Sequence, residues 1–289
     1  REWKNRKKTV FITGGARGIG LETARQLVAG GHNVALVDVL SDEVEAAAAG
    51  LGDRAIGLTA DVREVEDLRR AAADTAHHFG GIDVSIPNAG LGLLGPFLGG
   101  DRAQQQLMID VNLGGVIDTL RVTAPYVIER RGYLLPIASA AALVHVPLHA
   151  VYAATKAGVE ALANAMRCEM GDRGVSIGVG YFLYIQTPMV EQALGSEIGS
   201  EYEKRLLPPL NKRLPVDQAG AVMVRGIERR SRRVYAPRIL GAMLPFRQFL
   251  SPVIETQMRL TGTTREVQKV DAPAERPRSE ERRTNGVAR

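Results

Sequence analysis

The chain has 289 residues, of which 45% are hydrophobic, and a formal net charge of +5. This length suits one large α/β domain, and the longest apolar stretches are too short to span a bilayer. Its single cysteine, Cys168, excludes an internal disulfide and a cysteine-built metal site. We therefore predict a cytoplasmic protein without a metal and, since residues 1–8 lack an apolar core, without a secretion signal. The basic residues lack interleaved aromatics, so no nucleic-acid partner is predicted.

Short apolar runs alternate with helical stretches through the first half of the chain. Strands are predicted over residues 9–13, 33–38, 55–59 and 83–86, and helices over 20–29 and 64–79. The strand runs are continuously apolar, as expected when both faces of a sheet are covered. The pattern predicts an α/β fold with a single doubly wound parallel sheet of the Rossmann type and helices on both faces.

The second half continues this rhythm. Helices are predicted over residues 102–130, 152–170 and 217–230, and strands over 133–138, 175–181 and 233–235. Pro125 is expected to kink the long helix, and Pro136 to disturb the strand that contains it.

Four segments are predicted along the chain. A basic stretch over residues 1–8 precedes the main domain, which covers 9–238 and contains a candidate lid near 189–212. An extension over 239–260 and a charged, Pro-containing tail over 261–289, predicted to be disordered, follow.

The turn after the first strand is rich in glycine. Residues 13–20 read TGGARGIG and open a helix, so Gly14, Gly18 and Gly20 permit close approach of backbone N–H groups to a pyrophosphate. Arg17 and Ile19 lie within the same turn. A glycine-rich turn alone is weak evidence, but its strand–turn–helix setting indicates a dinucleotide site.

Asp38 ends the second predicted strand, 18 residues after Gly20. Its carboxylate can accept hydrogen bonds from ribose hydroxyls and would repel a 2′-phosphate, which favours NAD over NADP. Arg17 argues in the opposite direction, because a guanidinium could pair with that phosphate.

Tyr152 and Lys156 are four residues apart on a predicted helix, so their side chains share one face. A nearby ammonium stabilises the phenolate form of a tyrosine and so lowers the pKa of the tyrosine hydroxyl. A hydroxyl with a lowered pKa is suited to donate and accept protons. Ser139 follows a strand 13 residues earlier, at the edge of the sheet where open α/β folds bind ligands.

Taken together, these residues resemble the short-chain dehydrogenase/reductase family over about residues 9–237. The ordered set that carries the resemblance is the glycine turn, Asp61-Val62, Asn88-Ala89-Gly90, Asn112, Ser139, Tyr152 and Lys156. The resemblance implies an oxidoreductase that transfers a hydride between NAD(H) and an alcohol or ketone. It also implies that Tyr152 is the acid/base, Lys156 lowers its pKa and holds the nicotinamide ribose, and Ser139 positions the substrate oxygen.

The same resemblance assigns further roles around the cofactor. Asn112 supports a proton-relay water, Asp61 and Val62 flank the adenine, residues 88–90 shape the cofactor's side of the cleft, and Thr187 contacts the carboxamide. Asn112, Asn88 and Gly90 also have a purely structural interpretation as cap or turn residues. The chain departs from the family where Pro-Gly is common, since it has Phe182-Leu183 there, which implies an altered substrate wall.

Several apolar residues lie in segments expected to border the nicotinamide. They are Leu91, Leu93, Leu94, Val144, Val146, Leu148 and Tyr184. They predict a lipid-like or alicyclic substrate, although such residues also pack in ordinary cores. The alternatives are an NAD-retaining epimerase or dehydratase and a non-catalytic NAD sensor.

Two kinds of partner remain open. The family resemblance implies a homodimer or homotetramer built through the helices over 102–130 and 152–170. The 239–260 extension, with the arginines that precede it, could also form a basic amphipathic surface in peripheral contact with a membrane.

Overall fold

The structure is a computed structural model that describes residues 2–195, 200, 203–204 and 213–260. Six parallel strands form its main sheet in the order β3-β2-β1-β4-β5-β6. They are β1 Thr9–Thr13, β2 Asn33–Asp38, β3 Ala55–Thr59, β4 Val84–Ile86, β5 Tyr133–Leu134 and β6 Ser176–Ile177. A parallel pair, β7 (Val179–Phe182) and β8 (Arg233–Ala236), continues from it through a bridge between Ile137 and Gly180. The predicted α/β fold with a parallel Rossmann-type sheet is confirmed.

Helices follow most strands in the part of the chain that is described. They are α1 Glu2–Asn5, α2 Gly18–Ala29, α3 Ser41–Leu51, α4 Val65–Phe79, α5 Arg102–Ile109, α6 Gly115–Glu129, α7 Ala150–Glu169, α8 Pro188–Gly195, α9 Val216–Arg229, α10 Ile239–Met243 and α11 Arg247–Leu260. Helix α3 was not predicted, because it buries only Val44 and Ala48 and so has a weak apolar period.

Alternate residues of the central strands enter two separate cores. Phe11 of β1 packs on one face of the sheet with residues of α4, α6 and α7, while Val10 and Ile12 pack on the other with residues of α2, α3 and α9. Successive side chains of a strand point to opposite faces, and here both faces are covered. This is why the strands are apolar throughout their length.

The long helix predicted over residues 102–130 is wrong in detail. A π-helical segment at Asp110–Gly114 separates α5 from α6, whereas Pro125 lies inside α6, which runs on to Glu129. The change of helix type is therefore at Asn112, whose side chain bonds outside the helix, while α6 continues through Pro125. Short π segments of this kind are frequent at functional sites.

The strand predicted over residues 133–138 is also irregular, as Pro136 indicated. β5 ends at Leu134, but the N–H groups of Leu135 and Ile137 still donate to Ser85 and Pro87 at 2.9 and 3.0 Å. The chain thus stays beside β4 despite the missing N–H of Pro136 and carries Ser139 to the carboxyl end of the sheet. The neighbouring strand, predicted over 175–181, is divided between β6 and β7 at Gly178.

The N-terminal segment is packed onto the domain. Trp3 donates from Nε1 to the carbonyl of Ile227 at 3.0 Å, and the guanidinium of Arg230 lies 3.7 Å from the centre of its ring. Lys8 is fully buried and donates to the carbonyl of Arg6 at 3.0 Å. Burial lowers the Lys8 pKa, so this lysine is not part of a solvated charge run.

The extension after β8 begins inside the fold, where Leu240 and Leu244 are buried in the core. Among the described residues, no helix has the length and apolar content needed to cross a membrane. Most of the predicted lid, with Pro208 and Pro209, lies outside the described residues, as does the predicted tail over 261–289.

Candidate active site

The glycine turn after β1 requires glycine at three positions. Gly14 and Gly18 have φ values of +66° and +60°, a region that side chains disfavour. A Cβ on Gly14 would lie 2.7 Å from the Cα of Ala89, and a Cβ on Gly20 would collide with the carbonyl oxygen of Gly14. The turn is therefore packed directly against the end of β4.

Helix α2 starts at Gly18 without a side-chain cap on its first turn, since Arg17 at the N-cap makes no capping bond. Ile19 packs against the core beneath. The uncapped N–H groups and the positive end of the helix dipole suit an anion such as a pyrophosphate.

Asp38 lies at the end of β2, beside this turn. Its carboxylate accepts hydrogen bonds from the N–H groups of Ala16 at 3.0 Å and Leu40 at 3.2 Å. Arg17 is directed toward another acid, with its Nε 3.8 Å from a carboxylate oxygen of Glu43. A 2′-phosphate next to Arg17 would thus meet two carboxylates.

Asn88 clamps the end of β4 onto the glycine turn. Its amide donates to the carbonyl oxygens of Thr13 and Gly14, both at 3.0 Å. In return, Thr13 Oγ1 accepts from the N–H groups of Asn88 and Ala89 at 3.1 and 3.2 Å. Asn88 thus shapes the cofactor's side of the cleft through the backbone, and Thr13 is a partner that sequence reasoning missed.

Two predicted adenine-side residues follow β3. Asp61 is paired with Arg63, whose Nε lies 3.0 Å from the carboxylate, and this pairing lowers the Asp61 pKa. Val62 is buried, and a Cβ on Gly115 would lie 2.5 Å from its Cγ2. Glycine at position 115 therefore lets α6 approach Val62 closely.

Thr187 is buried after β7 and touches the glycine turn from the opposite side. Its Oγ1 donates to the carbonyl of Ile185 at 3.3 Å and accepts from the N–H of Val190 at 3.4 Å. A Cβ on Gly18 would lie 3.3 Å from its Cγ2. The structure thus brings together residues that are 169 positions apart in the sequence.

Asn112 is fully buried in the π-helical segment, and its side chain is engaged with neighbouring loops. Its Oδ1 accepts from the N–H of Leu91 at 2.7 Å, and its Nδ2 donates to the carbonyl of Leu91 at 2.9 Å and to Thr155 Oγ1 at 3.4 Å. A Cβ on Gly90 would lie 3.1 Å from its Oδ1. The amide of Asn112 positions the loop after β4, while Thr155 fixes it to the helix of Tyr152.

Ser139, Tyr152 and Lys156 meet at the carboxyl edge of the sheet. Ser139 Oγ accepts from the N–H of Ala141 at 3.1 Å and lies 3.4 Å from the carbonyl of Phe182. Lys156 Nζ donates to the carbonyl of Ile137 at 2.9 Å and lies 5.9 Å from the centre of the Tyr152 ring. The segment that leads from β5 to Ser139 thus also holds the ammonium.

The pKa values of this pair respond mainly to burial. Burial raises the Tyr152 pKa, a shift that a hydrogen bond with Ser139 partly opposes, and it lowers the Lys156 pKa to about 8. Lys156 was predicted to lower the Tyr152 pKa. In this structure the burial of the phenol and of the ammonium dominates the two pKa values.

The Phe182-Leu183 pair lies at the end of β7. Phe182 is buried in one core, and Leu183 packs against the other. A cavity of about 170 Å³ lies beside Tyr152. Its lining is Leu93, Leu94, Gly95, Pro96, Phe97, Gly100, Asp101, Gln104, Gln105, Met108, Leu148, Ala150, Val151 and Tyr152.

The predicted pocket residues lie in different surroundings. Leu93, Leu94 and Leu148 line this cavity, whereas Val144 belongs to the main core. A small separate cluster joins Leu94, Val146, Leu148 and Tyr184 to Val190 and Leu194 of α8.

Two residues of the loop into α7 lie beside Tyr152. Leu148 has a φ of +66°, a strained conformation for a leucine. His149 is buried with its ring 6.1 Å from that of Tyr152, and burial lowers its pKa. Both residues follow from the path of the loop into α7, which no local sequence pattern reveals.

A glycine turn that suits a pyrophosphate, together with Ser139, Tyr152 and Lys156 at the sheet edge, defines a dinucleotide-dependent oxidoreductase. The chain belongs to the short-chain dehydrogenase family, which matches residues 8–197, and it is therefore an NAD(P)-dependent dehydrogenase by family. It is 32% identical over 224 residues to 2,5-dichloro-2,5-cyclohexadiene-1,4-diol dehydrogenase of Sphingobium indicum, covering 75% of this chain and 88% of that enzyme. Oxidoreductase UcpA of Salmonella typhimurium is 30% identical over 214 residues, which is 72% of this chain and 81% of UcpA.

Solved structures confirm the fold. A short-chain dehydrogenase/reductase from Burkholderia phymatum, crystallised in complex with NAD, superposes with a TM-score of 0.74 at 20% identity, covering 83% of this chain and 92% of that one. A short-chain type dehydrogenase/reductase from Mycobacterium marinum superposes with a TM-score of 0.71 at 24% identity, covering 79% and 93%.

Proposed function

We propose that the protein is an NAD-dependent dehydrogenase that interconverts an apolar, alicyclic alcohol and its ketone. The observation that carries this proposal is the position of Tyr152 in the wall of a largely apolar cavity, four residues before the buried Lys156 and near Ser139, whose hydroxyl partly opposes the effect of burial on the Tyr152 pKa.

The three side chains divide the proton chemistry among them. When bound, the nicotinamide supplies the hydride acceptor or donor. The Tyr152 hydroxyl exchanges the proton with the substrate oxygen, while the neighbouring Ser139 hydroxyl holds the substrate oxygen in place. The Lys156 ammonium favours the phenolate form of Tyr152 by charge and would hold the nicotinamide ribose through hydrogen bonds.

The cavity supports an apolar ring as the substrate body. Leu93, Leu94 and Leu148 provide hydrophobic surface in the cavity that Tyr152 also lines, and Gln104 and Gln105 provide a polar side. The relative from Sphingobium indicum acts, by its name, on a cyclohexadiene diol. A ring with one hydroxyl at Tyr152 and a second polar group toward the glutamines is the substrate class that this arrangement favours.

The proposal is tested by turnover on a panel of alcohols with NAD. Cyclohexanols and cyclohexadiene diols are expected to be oxidised with kcat/KM at least tenfold above that for sugar alcohols, because apolar surface buried in the cavity contributes about 25 cal/mol per Å². The measurement is NADH absorbance against product formed. Oxidation of sugar alcohols alone would refute the substrate class. Product formed without accumulated NADH would indicate an NAD-retaining epimerase or dehydratase. NAD binding without turnover would indicate a sensor.

The preference for NAD is assigned to Asp38. Its carboxylate is fixed beside the glycine turn by two backbone N–H groups, where it can accept from ribose hydroxyls. Replacing it in the variant Asp38→Ser is expected to lower the ratio of kcat/KM with NAD to that with NADP at least tenfold, or about 1.4 kcal/mol, because a source of repulsion toward the 2′-phosphate is removed.

A matched control removes the same charge elsewhere. Asp53 is exposed and follows α3, so Asp53→Ser is expected to leave the cofactor ratio unchanged. Equal ratios in the two variants would show that Asp38 does not select the cofactor.

A further inference from the structure

Helix α11 and the residue before it expose a row of large apolar side chains. Phe246, Phe249, Val253 and Leu260, here called the apolar row, are 62%, 73%, 62% and 83% exposed. They recur at spacings of three, four and seven residues, so they share one side of the helix. Gln248, Glu255 and Arg259 fall on roughly the opposite side and are also exposed.

This segment is attached to the domain, so the row is not the frayed end of an unattached peptide. Arg247, at the start of α11, places one guanidinium nitrogen 2.9 and 2.8 Å from the two carboxylate oxygens of Glu160. Glu160 is buried on α7, the helix that carries Tyr152 and Lys156. Upstream, Leu240 and Leu244 are buried in the core. The apolar row therefore lies on a helix whose start is held against the domain.

The segment of the chain that carries the row is strongly positive. Residues 225–260 contain eight arginines and two glutamates, a net charge of +6, in a chain whose total is +5. Arg232, Arg233 and Arg238 are exposed within this region. A second copy of the same face would meet like charge, whereas an anionic surface would be attracted.

The chain that follows the helix is poorly suited to cover the row. Residues 261–289 have three valines as their only large apolar side chains and twelve charged residues. A segment of this composition buries little hydrophobic area.

We propose that α11 docks the protein on an anionic lipid bilayer. The apolar row inserts at the boundary between headgroups and acyl chains, and exposed arginines of the same segment contact the anionic headgroups. Arg247 and Glu160 keep α11 attached to the catalytic domain while it does so.

The test compares two variants of the full-length protein that carry the same new charge on adjacent exposed positions. Phe249→Glu places it in the apolar row, and Gln248→Glu places it on the polar side. The wild-type protein is expected to co-sediment with phosphatidylcholine–phosphatidylserine vesicles, less so in high salt, and not with phosphatidylcholine alone. Phe249→Glu is expected to bind at least about tenfold more weakly than Gln248→Glu, since it alone loses a buried aromatic ring.

Three results would overturn the proposal. The first is absence of wild-type binding to the anionic vesicles, and the second is equal binding of the two variants. The third is a wild-type oligomer that binds no vesicles and that Phe249→Glu dissociates in sedimentation velocity. That result would indicate that a second copy of the chain covers the apolar row. Thermal unfolding shows that each variant is folded. If Phe249→Glu is not, Val253→Glu, which is also exposed, replaces it.

Discussion

Replacing Tyr152 with phenylalanine is expected to lower kcat by about a hundred- to ten-thousand-fold, the range for loss of a general acid or base. The ring keeps its place above Lys156 and beside His149, because only the hydroxyl is removed. The dissociation constant for NAD is therefore expected to stay within about threefold of the wild type. Steady-state kinetics and a fluorescence titration with NAD measure the two quantities separately.

A second tyrosine provides the control for this variant. Tyr126 lies on α6, partly buried and outside the set of residues around the cavity. Tyr126→Phe is expected to retain full turnover. Full activity of Tyr152→Phe would refute the assigned mechanism, and loss of NAD binding together with turnover would assign Tyr152 a structural role.

The sheet could be predicted because burial on both faces leaves a direct trace in the sequence. Val10, Phe11 and Ile12 are all buried although they alternate between two cores, so β1 has no polar face. Helix α3 left no such trace, since its exposed alanines carry no amphipathic period.

The candidate site could be predicted where its residues belong to local motifs, and not where tertiary contacts determine it. The glycine turn specifies its own conformation through φ values that glycine allows. The π-helical segment at Asn112 depends on a partner 21 residues away, Leu91, and the burial of Phe182 depends on the packing of β7. Neither contact can be recognised from residues that are adjacent in the sequence.

The spacing of Tyr152 and Lys156 predicted their proximity but not their electrostatics. An interval of four residues places two side chains on one helix face; whether the phenol or the ammonium is desolvated depends on what covers that face. Here the segment after β5 carries the Ile137 carbonyl to which Lys156 bonds. Burial raises the Tyr152 pKa and lowers the Lys156 pKa, and both shifts favour the neutral form of the group.

The variant Lys156→Met tests what this lysine contributes to turnover and to NAD binding. Turnover is expected to fall at least a hundredfold, because the phenolate of Tyr152 loses its neighbouring charge. NAD binding is expected to weaken as well, because the variant cannot donate to the ribose. Both are measured as for Tyr152→Phe.

The pH dependence of stability distinguishes this lysine from others. The folded-state pKa of Lys156, about 8, lies below the ordinary value of 10.5, so the unfolded chain binds more protons between these values. Raising the pH from about 8 to 10.5 is therefore expected to stabilise the wild type relative to Lys156→Met, by up to about 3 kcal/mol. Urea unfolding of the NAD-free proteins at several pH values measures this difference.

A surface lysine supplies the comparison. Lys7 is exposed, and Lys7→Met controls for the loss of one ammonium from the folded surface. A constant difference in unfolding free energy between the wild type and Lys156→Met across this pH range would mean that the folded protein does not disfavour the Lys156 ammonium. In that case burial would not be the dominant influence on the proton chemistry of Tyr152 and Lys156, and the charge of Lys156 would be fully present for the phenolate above pH 8.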